Sequence, residues 1–192
     1  LEMLNELSRT IANAFTREEL LYKVLGFAIR ITGAEIGYVL TNEDLKCEAS
    51  LNRAGDRDID VKTSSSIIKK VLETEKSVSL VDTMDDKAIS TQASIMALDI
   101  RSVMCVPLIS NKKVLGVIYV SSKTLVKSFS YKDLSLLEDI VGQTALALDN
   151  LSLLDVEIKQ QQMKQELNIA KNIQASMLPS SDPEFEKLDI AG

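Results

Sequence analysis

Apolar residues recur along this chain with two different periods, and the change of period marks its elements. Over residues 2–15, Leu4, Leu7, Ile11 and Phe15 recur at three or four, the spacing of one helix face. Thr16-Arg17-Glu18-Glu19 has the form of a capping box, in which Thr and Glu side chains satisfy opposite backbone N–H groups. Leu20, Leu21, Val24, Leu25, Ala28 and Ile29 then predict a second helix, and Gly33 its left-handed stop. The period falls to two at Ile36, Tyr38 and Leu40, which share one face of a strand. Leu45, Cys47, Ala49 and Leu51 alternate with Lys46, Glu48 and Ser50, predicting a strand with one wet face. Residues 52–63 read as a loop around Gly55. Ser64-Ser65-Ser66 offers an N-cap to a short helix carrying Ile67, Ile68, Val71 and Leu72.

Ser77–Val81 reads as a short strand, and residues 82–100 have no firm period. Ser102–Ile109 and Lys113–Ser121 predict a strand pair turning at Asn111-Lys112. Val114, Leu115, Val117, Ile118, Tyr119 and Val120 make the second of these apolar on both faces, so it belongs at the centre of the sheet. Pro107 has no N–H, so that position must face an edge or a strand end. Ser130-Tyr131-Lys132-Asp133 is a second capping box, and it opens a long helix. Leu134, Leu137, Val141, Thr144, Leu148, Leu151 and Ile158 follow at three-, four- and seven-residue steps, and no breaker appears before Pro179. A helix unbroken to Leu178 would run about 70 Å at 1.5 Å per residue. A domain of this size cannot bury that length, so a second copy of the helix is the expected partner. Gln160-Gln161-Gln162 and Gln165 weaken the seam, either as positions that permit a register change or as a solvated surface.

Composition narrows the function. The chain has 192 residues, 45% hydrophobic and 26% charged, enough for a core with an appendage. A net charge of −6 with no basic stripe argues against nucleic-acid binding. No apolar run spans a bilayer and Leu1–Ala14 is not a signal peptide, so the cytoplasm is the expected location. The first residue is Leu, so the natural start is expected to precede it. Histidine is absent, which removes the commonest general base and the usual haem and zinc nitrogen ligand. Cys47 and Cys105 lie in strand-like runs and read as reduced, buried thiols.

The order of elements predicts an α+β fold with an antiparallel sheet. Arg101-Ser102-Val103-Met104-Cys105-Val106-Pro107-Leu108 followed by Lys113-Val114-Leu115-Gly116-Val117-Ile118-Tyr119-Val120 resembles the paired strands of GAF domains. Phe129–Asn150, with Asp133, Leu137, Ala145, Leu148 and Asn150, is similar to the helix that closes that domain. This resemblance implies the PAS/GAF superfold over residues 1–150, a helical dimerising linker over 151–178 and the start of an output domain over 179–192. Glu166-Leu167-Asn168-Ile169-Ala170-Lys171-Asn172-Ile173-Gln174-Ala175-Ser176-Met177-Leu178-Pro179 is similar to the helix entering serine phosphatases of the sporulation stage II protein E, PPM-type family. That second resemblance implies a parent that regulates a sigma factor, acts on a phosphoprotein and uses Mn or Mg held by aspartates beyond Gly192. The chain itself would then carry no cofactor and no catalysis.

GAF domains often bind a small molecule between the sheet and the segments covering it. The candidate lining residues are Tyr38, Ile68, Val81, Met96, Arg101, Met104 and Ile118; the alternative is that they are ordinary core. Members that bind cyclic nucleotides resemble a pattern that Lys123, Phe129 and Asp133 match and Ser122 and Leu134 do not; helix capping also accounts for Asp133. Bilin and haem are disfavoured by the missing histidine. Asp82, Asp85 and Asp86 lack the spacing of a calcium loop and read as a solvated or capping group. The leading expectation is a sensor coupled to phosphatase output through a homodimer. The alternatives are a ligand-free dimerising or interaction module, and a histidine kinase or cyclase output.

Overall fold

The computed structural model describes residues 2–14, 16–41, 45–80, 100–124 and 129–177. Helices α1 (Glu2–Ala12) and α2 (Arg17–Thr32) precede strands β1 (Ile36–Thr41) and β2 (Cys47–Asn52). Helix α3 (Ser65–Thr74) and strand β3 (Val78–Leu80) follow, then β4 (Ser102–Ser110), β5 (Lys113–Ser122) and helix α4 (Tyr131–Met177). The chain divides into two compact units, Leu1–Leu151 and Ser152–Gly192.

The first unit is built on a five-stranded sheet in the order β2-β1-β5-β4-β3, with every neighbouring pair antiparallel. This is the expected α+β architecture. The doubly apolar β5 is the central strand. Asn111 and Lys112 both adopt positive φ, 49° and 63°, as a tight two-residue hairpin turn requires. Pro107 pairs with Val117 of β5 and lies beyond Cys105, the last β4 residue that pairs with β3 at that end, so its other side is an edge as expected. Gly116 permits a close approach of β1 to β5: a Cβ there would run into the Leu40 carbonyl oxygen.

Two apolar clusters flank the sheet. On one face Met104, Val106, Leu108, Ile118 and Val120 pack with Leu20, Val24, Leu25 and Ala28 of α2 and Leu137, Ile140, Val141, Ala145 and Leu148 of α4. On the other, Tyr38, Leu40, Val103, Cys105, Val117 and Tyr119 pack with Ile67, Ile68 and Val71 of α3. Burial on this scale removes apolar area from water on both sides and holds the strands in a fixed register.

The helix signals act as the residues dictate. Thr16 accepts the Glu19 N–H at 3.2 Å, and Gly33 at φ 72° donates its N–H to Ile29. The Asp133 carboxylate accepts the Ser130 N–H at 2.8 Å, while the Ser130 hydroxyl accepts the Asp133 N–H at 3.2 Å. Ser64 is the N-cap residue of α3, but its side chain makes no capping bond; its Oγ lies 2.9 Å from the Ser66 Oγ.

One expectation needs correction. In β2, Leu45, Cys47, Ala49 and Leu51 do not share a face. A bulge at Glu48 places two residues opposite one, because Leu40 pairs with Cys47 while Val39 pairs with Ala49. Leu45 and Cys47 therefore pack toward α3, and Ala49 and Leu51 toward α2. Arg17 fixes the bulge through paired bonds to Glu48 at 2.7 and 3.1 Å. In α4, Leu137, Val141, Thr144 and Leu148 are buried in the domain's own core, with Leu134 and Leu151 packed against it. These residues close the domain, as the helix similar to that of GAF domains is expected to do. Beyond them, Leu153, Val156, Met163, Leu167 and Met177 are each more than half exposed.

Candidate ligand face and family

The α3 face of the sheet carries the polar groups of interest. Tyr38 and Tyr119 stand opposite each other on β1 and β5, with ring centroids 6.2 Å apart and planes tilted by 57°. Their side chains are 1% and 0% exposed, so each hydroxyl must find a partner inside the protein. The Tyr38 hydroxyl donates to the Asp60 carbonyl at 3.1 Å and accepts the Lys62 N–H at 3.3 Å. The Tyr119 hydroxyl accepts the Ser64 N–H at 3.4 Å. The segment from Asp60 to Ser64, which leads into α3, is thus held against the sheet by two phenols.

Burial keeps the phenols and thiols of this face neutral. Burial pushes the Tyr119 phenol and the Cys105 thiol well up, and raises Tyr38 and Cys47 as well. A thiol so shifted is protonated and a poor nucleophile near neutral pH. Among the described residues, the face offers phenols and apolar walls, with the Asp58 and Asp60 carboxylates close enough to act on Cys47 and Tyr38. Such a surface suits recognition of an uncharged or aromatic group, not acid–base chemistry.

The candidate residues are divided by the pleat. Tyr38 and Ile68 come together on the α3 face. Met104 and Ile118 lie on the opposite face, against α2 and α4. Each is one residue out of phase with the α3 side, where Val103, Cys105, Val117 and Tyr119 stand, and one residue of offset reverses a strand side chain. Arg101 leads into β4, half-buried, with its N–H on the Ser122 carbonyl at 3.0 Å. Val81 and Met96 lie outside the described residues, as do Asp82, Asp85 and Asp86. Tyr119, outside the candidate set, faces Tyr38, and the period of two through Val117 and Tyr119 was the available signal for it.

The partial cyclic-nucleotide pattern is occupied structurally. Phe129 is buried in the α2–α4 cluster, and the Asp133 carboxylate is held by the Ser130 N–H and hydroxyl. The Lys123 N–H and the Ser122 and Thr124 hydroxyls all bond Glu35. Burial works to raise the Glu35 carboxyl, but the Thr124, Lys123 and Ser122 bonds outweigh it and lower it below the ordinary range. Among the described residues, no group of three or more His, Cys, Asp or Glu could hold a metal ion.

The family model described as a GAF domain matches residues 14–149. The chain contains a GAF domain and belongs to that family. Solved structures agree on the fold of this GAF domain. The GAF domain of a phosphoenolpyruvate-protein phosphotransferase from Coxiella burnetii has a TM-score of 0.61 at 15% identity, covering 81% of this chain and 95% of its own. The chromophore-binding domain of a bacteriophytochrome from R. palustris has a TM-score of 0.64 at 14% identity, covering 79% and 61%. The GAF domain/HD domain protein from Geobacter sulfurreducens gives 0.54 at 13% identity, covering 74% and 99%. No curated protein matches the chain by sequence.

Proposed function

We propose that this GAF domain is the sensing element of a bacterial signalling protein, and that it binds a small molecule on the α3 face of its sheet. The observation that carries the reading is the pair of phenols, Tyr38 and Tyr119, that this face turns toward the segment leading into α3. A ligand there would take over the hydrogen bonds by which Tyr38 and Tyr119 now hold the Asp60–Ser64 segment. The family is a regulatory one, which supports a sensing role without catalysis in this chain.

The output in this proposal is a PPM-type serine phosphatase acting on a phosphoprotein in sigma-factor control, with Mn or Mg in its own domain. The similarity of Glu166–Pro179 to the entry helix of such phosphatases supports it. We assign the cytoplasm as the location; among the described residues no helix is long and apolar enough to cross a membrane. The chain acts as a homodimer. From Leu153 a three-four repeat runs through Val156, Gln160, Met163, Leu167, Ala170, Gln174 and Met177, the spacing of a coiled-coil seam. Gln160 and Gln174 sit in that seam and lower its stability, which makes it adjustable. A ligand shifts such a device only if it binds one of its two states more tightly.

Tyrosine emission tests the ligand reading. The chain has no Trp and four Tyr, and two of the four stand on the α3 face. A metabolite that binds there is expected to change tyrosine emission saturably and to raise the melting temperature. Tyr38→Phe is expected to weaken that response. Saturating binding that leaves emission and Tyr38→Phe unaffected would place the ligand elsewhere.

A further inference from the structure

A separate cavity of about 610 Å³ opens beside the C-terminal half of α2, away from Tyr38 and Tyr119. Its size falls within the roughly 300–1,000 Å³ of small-molecule sites. Ile29 and Leu51 supply apolar walls, and Arg30, Arg53 and Thr124 supply polar groups.

The charge at this cavity is specific. Arg30 is matched by Glu6 at 2.5 Å and stacks over Phe27. Arg53 has no carboxylate partner among the described residues. Its Nε donates to the Ala34 carbonyl at 3.2 Å and its Nη2 to the Gly33 carbonyl. A guanidinium has five donors in a rigid fork, so the remaining edge can take a carboxylate. The carbonyls just past the end of α2 fix the guanidinium and offset part of its charge. The Glu35 carboxylate, which takes the hydroxyls of Ser122 and Thr124 at the same cavity, adds a negative charge there, so the site suits a monoanion better than a dianionic phosphate ester.

Gly26 is the second observation. It lies inside α2, where glycine is among the least favourable residues. Packing does not demand it, since a Cβ there would meet only the Leu51 Cδ2, at an ordinary 3.6 Å. Its lack of a side chain instead keeps the cavity open.

We propose that this cavity is a second small-molecule site, selective for a monocarboxylate with a compact apolar body. The carboxylate binds Arg53, and the body lies against Ile29 and Leu51 in the space left by Gly26. The test is an amide chemical-shift titration of the whole chain with benzoate, with benzamide as the neutral probe and inorganic phosphate as the purely ionic one. Benzoate is expected to move the amides of Gly26, Arg53 and Thr124 saturably, with benzamide and phosphate at least tenfold weaker. Gly26→Leu, with a dispersed spectrum, is expected to abolish the benzoate response, and Arg53→Met to weaken it at least tenfold. If Arg53→Met does not fold, Gly26→Leu decides. Equal responses to benzoate and benzamide, no response to benzoate, or a full response in Gly26→Leu would each overturn the proposal.

Discussion

Cys105 and Tyr119 are cross-strand partners on the α3 face, and both are held in their neutral forms by burial. Folding therefore favours the protonated thiol and phenol. Their contribution is complete below the ordinary values of 9.0 and 10.0 and is lost as pH rises through and beyond them. Stability is expected to fall from about pH 9 upward, and Tyr119→Phe should flatten that fall. At neutral pH the same substitution should cost about 1 kcal/mol, because the Ser64 N–H loses this acceptor. Denaturation curves at pH 7 and pH 10 measure both effects; an alkaline slope unchanged in Tyr119→Phe would contradict the assignment. A thiol reagent should leave Cys105 unmodified until the chain unfolds. At this scale the sequence was readable where a residue acts on its neighbours. Thr16, Gly33 and the Ser130–Asp133 pair are local devices, and each appears as its spacing dictates. Which side of the sheet Met104 and Ile118 occupy is set by the phase of the pleat, which no local signal anchors in strands apolar on both faces.

Strand and helix identities were legible because their periods differ, and β5 declared its central place by being apolar on both sides. The bulge at Glu48 was not legible. Its alternation looks unbroken in sequence, and only pairing with β1 exposes the extra residue. Gly116 shows the same dependence on a neighbouring strand. Gly116→Ala would drive a Cβ into the Leu40 carbonyl, so β1 and β5 must separate locally. A loss of about 2–3 kcal/mol is expected, at the upper end of ordinary single substitutions. Near-wild-type unfolding of Gly116→Ala would show that the strands adapt. At the start of α4, Asp133→Ala removes the reciprocal cap and should cost about 1 kcal/mol by the same denaturation measurement.

For the whole molecule, the fold followed from the order of elements, while the assembly required knowing which apolar residues the domain itself consumes. Leu137, Val141 and Leu148 satisfy a heptad on paper, yet they are core. The repeat that starts at Leu153 is visible only once those residues are removed from consideration. The central claim is that this GAF chain senses a small molecule as a dimer. Native mass spectrometry of the chain purified without denaturation tests it most directly. The account predicts a species of twice the 21.2 kDa chain mass carrying a discrete small-molecule addition. A monomer, or a dimer that carries no addition even after exposure to a metabolite extract, would contradict it.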